Sequence, residues 1–215
     1  MFTKNQLNKL REDYFFNGYI FLPNYQAKLK KFLRLINQIN TENSLFVIEK
    51  KNVFTSTLNQ SLVPKEKLNY IGNIIYQLGI IDLANLITCR DLYQTNFMHF
   101  LSKGQTPSLP WHRDTYKTFR KTVGSVPSAT KIAIYSSVVT PKTAPMQLIA
   151  GSHRFDFRNR FIDRIQPYVT FNKFSVIANP GDIIIFDSSL LHRRAASRKN
   201  AIRSATIYGL IPKIN

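Results

Sequence analysis

Short strand-like runs separated by turn-forming clusters fill the sequence from residue 95 onward. The separators are rich in Pro, Gly and Ser, as at 103–110, 141–145 and 180–182. Closely spaced strands of this kind are typical of antiparallel barrels and sandwiches. We therefore predict an all-β barrel or sandwich as the main body. Its predicted strands are 95–101, 131–139, 146–149, 174–178, 183–187 and 202–211.

The first 90 residues have helical periodicity instead. Apolar residues recur every three or four positions in 3–17, 25–40 and 64–78, which predicts three amphipathic helices. Two further segments, 19–22 and 45–54, have strand composition. Helices followed by many strands indicate an α+β chain with a mainly β core. We expect one domain, in which 1–90 give helical support and 91–215 form the core.

A candidate metal-binding pair lies in the segment that follows 103–110. His112 and Asp114 are two residues apart, and alternate side chains of an extended strand point to the same face. A second histidine from a distant segment, His192, would complete two histidines and one carboxylate. This ligand set is typical of non-haem ferrous oxygenases. A His-x-Asp pair alone is common, so the prediction depends on the other residues.

The sequence predicts a hairpin between 183–186 and 205–208, with its turn at 197–200. That turn places His192 directly opposite Arg203, and directly opposed side chains share one face of a sheet. Both side chains should therefore face one cavity. A guanidinium there suits a dicarboxylate that chelates the metal at its other end, because the planar fork of Arg binds carboxylate bidentately.

Four short pieces of the sequence carry a family resemblance. They read WHRD at 111–114, MQLIAGSHR at 146–154, GDIIIFD at 181–187 and LLH at 190–192, with Arg203 eleven residues after His192. In this order they resemble the phytanoyl-CoA dioxygenase family of Fe(II)/2-oxoglutarate-dependent oxygenases. The segment 7–22 also resembles the opening helix and strand of that family, so the resemblance spans nearly the whole chain.

The resemblance implies a double-stranded β-helix (jelly-roll, cupin-like) flanked by N-terminal helices. It implies that His112, Asp114 and His192 bind Fe(II) and that Arg203 pairs with the C5 carboxylate of 2-oxoglutarate. The chemistry of the family uses O2, releases succinate and CO2, and oxidises a substrate. Related halogenases replace the metal-binding carboxylate with a small residue that makes room for halide. Asp114 therefore favours hydroxylation or another oxidation over halogenation.

The sequence departs from the family pattern in three places. Ala144-Pro145 stands where family members often have Gly-Pro, and Ala150 replaces the usual proline. Arg194 lies two residues after His192, where the family often has a small hydroxyl residue near 2-oxoglutarate. This last departure concerns cosubstrate binding and leaves the metal ligands intact.

Two other histidines have structural interpretations. His99, in the strand 95–101, is favoured as a hydrogen-bonded core residue, and a contact to 2-oxoglutarate from a neighbouring strand is the alternative. His153 is expected to fix a loop rather than bind metal.

The net charge of +18 should attract anions. Basic side chains on solvent-exposed faces, together with a general compositional bias, would explain this charge. A specific anionic partner would explain it equally well. An anionic substrate is one interpretation, with Arg113, Arg154 and Arg194 as candidate contacts. A nucleic acid and an anionic membrane surface are two further interpretations, and neither is favoured. For nucleic acid, the sequence has no binding motif.

Two clusters of basic residues have the same set of interpretations. The first follows the metal-binding pair and would rim the mouth of the site. The second has i, i+4 spacing, which suits either a solvated lid helix or a basic amphipathic helix. The clusters are Arg113, Lys117, Arg120 and Lys121, and Arg154, Arg158, Arg160 and Arg164.

Cysteine content and hydropathy indicate a cytoplasmic protein. A single cysteine, Cys89, allows no intrachain disulfide and no Cys-based zinc site. The charged segment 1–17 does not resemble a signal peptide, and no apolar run is long enough for a membrane span.

We therefore predict an Fe(II)- and 2-oxoglutarate-dependent dioxygenase that hydroxylates a small or conjugated, anionic metabolite. One alternative is a catalytically inactive jelly-roll binding protein, against which the intact ligand set argues. The other is a basic protein that binds or modifies nucleic acid. Neither the prime substrate nor the oligomeric state follows from the sequence.

Overall fold

The computed structural model describes residues 2–48, 56–114, 129–154, 165, 168 and 172–213. Its α-helices are α1 Lys4–Asn17, α2 Lys30–Thr41, α3 Lys65–Gln77 and α4 Ile80–Thr88. Its strands are β1 Tyr19–Leu22, β2 Phe46–Ile48, β3 Ser56–Leu58, β4 Leu92–Lys103, β5 Thr130–Tyr135, β6 Met146–Ile149, β7 Lys173–Ser175, β8 Ile183–Asp187, β9 His192–Arg194 and β10 Ile202–Pro212.

The described strands form two antiparallel sheets. The larger sheet has the order β1-β8-β5-β10-β4-β3-β2, and the smaller has the order β7-β6-β9. A mainly β core with flanking helices confirms the α+β jelly-roll prediction. Strands β1, β2 and β3 belong to the first 90 residues, so this part of the chain extends the larger sheet as well as supplying helices.

Strand β8 shows how the larger sheet divides the core. Ile183 and Ile185 belong to the apolar cluster shared with Phe32 of α2, whereas Ile184 and Phe186 belong to the cluster between the two sheets. Alternate side chains of a strand point to opposite faces. The run is continuously apolar because both of its faces are buried. The helices therefore cover one face, and the other face is free to line a site.

The helix predictions are confirmed except at two places. In the predicted helix 25–40, residues 26–29 form turns and α2 begins only at Lys30. Gly79, which has a φ of +64°, separates α3 from α4. No sequence prediction covered α4, although most of its apolar residues are buried in the core.

The predicted hairpin between 183–186 and 205–208 is wrong. Strand β10 pairs with β4 and β5, and Arg203 lies opposite Ser102. His192 lies in the smaller sheet, opposite Leu148 of β6. The physical reason is that residues 195–201 carry the chain from one sheet to the other, and Ser197 bridges to Thr106 on the way. His192 and Arg203 thus come from opposite sheets.

Among the described residues, no single helix is long and apolar enough to cross a membrane. The helices α3 and α4 meet the length and composition criteria only together, as a pair bent by 47°. Ile71, Ile75 and Ala84 of this pair are buried in the core.

Candidate active site

Two histidines are brought together by a short stretch of main-chain pairing. The amide of His112 donates to the carbonyl of His192 at 2.9 Å, and the amide of His192 donates back at 2.9 Å. Directly opposed residues of an antiparallel pair share a face, and the two ring centroids are 4.4 Å apart. The amide of Asp114 donates to the carbonyl of Ser188 at 2.9 Å, which fixes the third residue.

The three side chains converge on one point. His192 Nε2 lies 3.2 Å from Asp114 Oδ2, and His112 Nε2 lies 3.9 Å from Asp114 Oδ1. One ligand atom from each residue can be chosen so that all lie within 4.8 Å of one another. The spacing suits a single ion bound by all three residues.

The ring tautomers of both histidines follow from their other hydrogen bonds. His112 Nδ1 donates to the carbonyl of Pro110 at 3.0 Å, and His192 Nδ1 donates to the carbonyl of Leu190 at 2.8 Å. A carbonyl only accepts, so each Nδ1 carries a proton, and Nε2 is the ring nitrogen of each histidine that can bind a metal. This is the usual outer-shell arrangement of metal-binding histidines.

The electrostatic environment keeps Asp114 ionised. Burial raises the pKa of this carboxyl, but the hydrogen bond and charge of His192, together with Lys131, outweigh burial and hold the pKa well below its usual range. Lys131 Nζ lies 2.8 Å from Oδ2. The pKa of His112 is also lowered, mainly by burial and then by His192, which favours the neutral, ligating ring.

These residues fit a ferrous ion. The Nε2 atoms of two imidazoles and one carboxylate converge, and two histidines with one carboxylate leave further coordination positions open in non-haem iron sites. His112, Asp114 and His192 would hold the metal, as the sequence predicted.

Arg113 lies between the two ligands of the HRD segment, but its side chain faces away from them. Its guanidinium is buried and donates to the carbonyls of Ser152 and Ser189. The bonds tie the metal-binding segment to the loops beside β9. The predicted substrate contact for Arg113 is therefore wrong, because hydrogen bonds inside the protein engage this side chain.

The Gly-Ser-His-Arg segment positions the distal histidine. Ser152 Oγ accepts from the amide of Leu191, the neighbour of His192, at 2.8 Å. His153 Nε2 donates to the carbonyl of Phe15 at 3.1 Å, which anchors the segment to α1. This agrees with the expected loop-fixing role for His153.

A cavity of about 380 Å³ opens beside the three ligands. Apolar side chains form most of its wall, and four basic side chains interrupt them. Its lining residues are Met98, Phe100, Leu109, His112, Asp114, Lys131, Met146, Phe186, His192, Arg193, Arg194, Arg203 and Ile207.

Arg203 enters this cavity from the larger sheet. It has the same strand parity as Ala205, which lies in the cluster between the sheets. The guanidinium carbon lies 5.7 Å from the ring centroid of Tyr135. Only 6% of Arg203 is exposed, and its Nε has no hydrogen-bond partner among the described residues. A buried, partly unsatisfied guanidinium facing a metal site fits an anionic ligand.

Arg194 enters the same cavity from the smaller sheet and is also 6% exposed. Its Nη1 donates to Thr106 Oγ1 at 2.7 Å, and its Nη2 donates to the carbonyl of Pro107 at 3.3 Å. Burial, and next the charge of Arg203, lower the pKa of Arg194. The candidate substrate residue Arg194 is thus in the cavity wall, near Arg203.

His99 does not line this cavity, so the predicted contact to the cosubstrate is wrong. Met98 and Phe100 line the cavity, and the alternation of a strand turns His99 toward the helices. Its Nε2 donates to Asn40 Oδ1 at 2.9 Å, and its Nδ1 accepts from Thr206 Oγ1 at 2.9 Å. The favoured interpretation as a hydrogen-bonded core residue agrees with this position.

The predicted arginine contact at position 154 is also misplaced. Arg154 is exposed, and its guanidinium carbon lies 5.8 Å from the centroid of the Phe16 ring, outside the cavity wall. The other basic residues proposed for the rim and for a basic helix lie outside the described residues. They are Lys117, Arg120, Lys121, Arg158, Arg160 and Arg164.

Sequence reasoning missed two basic residues of the cavity, Lys131 and Arg193. Lys131 begins the otherwise apolar run of β5, and its parity with Ala133 and Tyr135 places it on the inner face of the sheet. That parity was a usable signal. Arg193 of β9 lies over the ring of Trp111, at 4.6 Å from the centroid, a contact between distant parts of the chain that no local pattern predicts.

Comparison with known proteins identifies a family that covers most of the chain. Residues 17–205 match the family model described as phytanoyl-CoA dioxygenase (PhyH). No curated protein sequence matches the chain at a significant level.

Solved structures share the fold at low sequence identity. The alpha-ketoglutarate-dependent epimerase SnoN from nogalamycin biosynthesis has a TM-score of 0.73 at 15% identity, over 98% of this chain and 82% of that chain. EctD from S. alaskensis with bound Fe has a TM-score of 0.69 at 14% identity, over 99% of this chain and 79% of that chain. HygX from Streptomyces hygroscopicus, with nickel, 2-oxoglutarate and hygromycin B bound, has a TM-score of 0.67 at 15% identity, over 99% of this chain and 88% of that chain.

The first prediction concerns metal-linked stability. A divalent metal at 100 times its Kd should stabilise the wild-type protein by about 2.7 kcal/mol, which raises Tm by roughly 5–10 °C for a chain of this size. Asp114→Ala should lose this shift because the anionic ligand is gone. Asp91→Ala is the matched control, since Asp91 pairs with Lys213 at the surface. Thermal unfolding with and without Co(II) measures the effect, and an equal shift in both variants contradicts it.

The second prediction concerns acid stability. Burial lowers the pKa of His99 to about 4, from the ordinary value of 6.5. The unfolded chain therefore binds a proton at a higher pH than the native protein, so stability falls as pH drops from 6.5 through 4, by about 3 kcal/mol in total. His99→Gln should flatten the pH dependence of the free energy of unfolding in this range. An unchanged slope in urea titrations would contradict it.

Proposed function

Because the chain belongs to the phytanoyl-CoA dioxygenase family, we propose that it is an Fe(II)- and 2-oxoglutarate-dependent dioxygenase that hydroxylates a small or conjugated, anionic metabolite. The observation that carries the proposal is the convergence of His112, Asp114 and His192 beside a cavity with a buried Arg203. Iron, 2-oxoglutarate and O2 together supply oxidising chemistry, with release of succinate and CO2.

Each part of the chain has a distinct task in this proposal. The two Nε2 atoms and the Asp114 carboxylate hold the metal. Arg203 binds the C5 carboxylate of 2-oxoglutarate and thereby sets the orientation of the whole cosubstrate. Its burial strengthens this pairing, because charges interact more strongly away from bulk water. The apolar part of the wall excludes water from the remaining space.

The size and charge of the cavity support a small anionic substrate. A volume of about 380 Å³ lies at the lower end of the usual range for small-molecule sites, about 300–1,000 Å³. Lys131, Arg193, Arg194 and Arg203 outnumber the single acidic residue, Asp114. A 2-oxoglutarate dianion and a ferrous ion cancel each other in charge, so the loaded cavity keeps its positive excess. An acidic substrate group would offset this excess.

Structural neighbours show which other reactions the test must distinguish. SnoN is an epimerase, and SnoK from nogalamycin biosynthesis is a carbocyclase with a TM-score of 0.73. Hydroxylation adds one oxygen atom to the substrate, whereas epimerisation conserves its mass. Product mass therefore separates these outcomes once a substrate is found.

The third prediction tests the proposed activity before any substrate is known. Enzymes of this class often convert 2-oxoglutarate to succinate slowly when no prime substrate is present. Purified protein should therefore release succinate from 2-oxoglutarate, and this release should require both Fe(II) and O2. Asp114→Ala and His112→Ala should reduce the rate by at least about 100-fold, because each removes a metal ligand. Asp91→Ala should keep the wild-type rate. If the Asp114→Ala protein matched the wild type, the proposal would fail.

The fourth prediction concerns Arg203. Arg203→Gln should weaken 2-oxoglutarate binding by about 100-fold or more, because truncating a buried charged partner costs about 2–5 kcal/mol. Titration calorimetry of the Ni(II)-loaded protein measures this without turnover. Arg154→Gln is the matched control, since Arg154 is exposed and lies outside the cavity wall. Equal affinities in the two variants would rule out the role of Arg203.

A further inference from the structure

Two buried arginines face each other across the cavity without an acidic partner. Arg194 comes from β9 of the smaller sheet, and Arg203 comes from β10 of the larger sheet. In the described part of the chain, neither guanidinium forms an ion pair with a carboxylate. Two like charges buried together repel each other and lose hydration. An anion bound between them or beside them would offset this cost.

The position of Arg194 relative to the metal site follows from strand geometry. His192 and Arg194 are two residues apart on β9, so both side chains face the cavity, about 7 Å apart along the strand. Arg203 reaches the same cavity from the opposite sheet. A short dicarboxylate bound at the metal by one end would extend its other end toward the two guanidinium groups.

Buried donors without a hydrogen-bond partner indicate where an acceptor group of a ligand would bind. Arg194 Nε and Arg203 Nε are buried, and neither has a hydrogen-bond partner among the described residues. A buried donor without a partner destabilises the protein, because it has lost its hydrogen bonds to water. The nearby Tyr135 Oη is buried and equally without a partner. A carboxylate can accept from several donors at once, so one ligand group can satisfy both arginines.

A hydrogen-bond network orients the Arg194 side chain before a ligand binds. Its Nη1 donates to Thr106 Oγ1, and Thr106 is itself fixed because its amide donates to Ser197 Oγ at 2.9 Å. Ser197 Oγ in turn donates to the carbonyl of Gly104 at 2.8 Å. The Nη groups therefore set the direction of the guanidinium, and its Nε remains available. Such preorganisation lowers the entropy lost on binding.

We propose that Arg194 and Arg203 form one two-guanidinium site for the distal carboxylate of 2-oxoglutarate. This inference rests on the proposed function and adds a specificity-determining residue to it. Two charges on one distal carboxylate make selection for dicarboxylates strict. A 2-oxo acid with a neutral tail would leave both buried cations without a partner, so the site binds it more weakly than 2-oxoglutarate.

A loop anchor is the competing explanation for Arg194. In that role, its bonds to Thr106 and to the carbonyl of Pro107 would only hold the 104–107 segment against β9. Loss of an anchor would weaken the binding of every 2-oxo acid to a similar extent, because the cavity wall itself would change. Loss of a binding charge would weaken only ligands that carry the distal carboxylate.

The experiment compares two ligands on the Ni(II)-loaded protein by titration calorimetry. The ligands are 2-oxoglutarate and 2-oxopentanoate, which has the same chain length and no distal carboxylate. Arg194→Gln should raise the Kd of 2-oxoglutarate by about 10- to 100-fold and leave the Kd of 2-oxopentanoate within about threefold. Arg194→Lys should fall between Arg194→Gln and the wild type, because it keeps the charge and loses the fork.

Thr106→Val is the matched control, since it removes the anchoring bond and keeps the guanidinium. It should raise the Kd of 2-oxoglutarate less than Arg194→Gln does. An equal effect of Arg194→Gln on both ligands, or an effect of Thr106→Val as large, overturns the inference. The Kd values describe the folded fraction, so partial misfolding of a variant does not imitate selectivity. If the metal-loaded wild type binds neither ligand, the proposed function itself fails.

Discussion

The reciprocal main-chain hydrogen bonds between His112 and His192 are the interaction on which the site depends. They join a loop after β4 to β9, two parts of the chain 80 residues apart. Because directly opposed residues share a face, this pairing turns both imidazoles toward the same point. Asp114 then follows from the alternation of the extended chain. The surrounding bonds from Arg113 and Ser152 hold this pairing in place.

The two sheets divide the work of binding. The smaller sheet supplies His192 and Arg194, whereas the larger sheet supplies Lys131 and Arg203 from its inner face. Among the described residues, helices α1–α4 cover the outer face of the larger sheet, and the inner face lines the cavity. The continuous apolar run of β8 is the physical basis of this division. One half of its side chains stabilises the helical layer, and the other half packs between the two sheets, where Phe186 lines the cavity.

Sequence patterns predicted most strands, the jelly-roll fold and the three converging ligands, because all of these depend on local periodicity and on motif order. They failed where long-range topology decides the outcome. The supposed hairpin put His192 opposite Arg203 within one sheet, yet residues 195–201 cross between sheets and bring the two side chains together from opposite sides. For His99, the sequence left a cosubstrate contact open beside the favoured core position, because no pattern in 95–101 shows which face meets the helices.

The central claim is that one metal ion and one dicarboxylate bridge the two sheets. A crystal structure of the protein grown without oxygen, with Fe(II) and 2-oxoglutarate, tests it most directly. The account predicts a metal bound by His112 Nε2, His192 Nε2 and the Asp114 carboxylate, with the distal carboxylate of 2-oxoglutarate against Arg203. A metal bound elsewhere, or a distal carboxylate turned away from both Arg194 and Arg203, would contradict it.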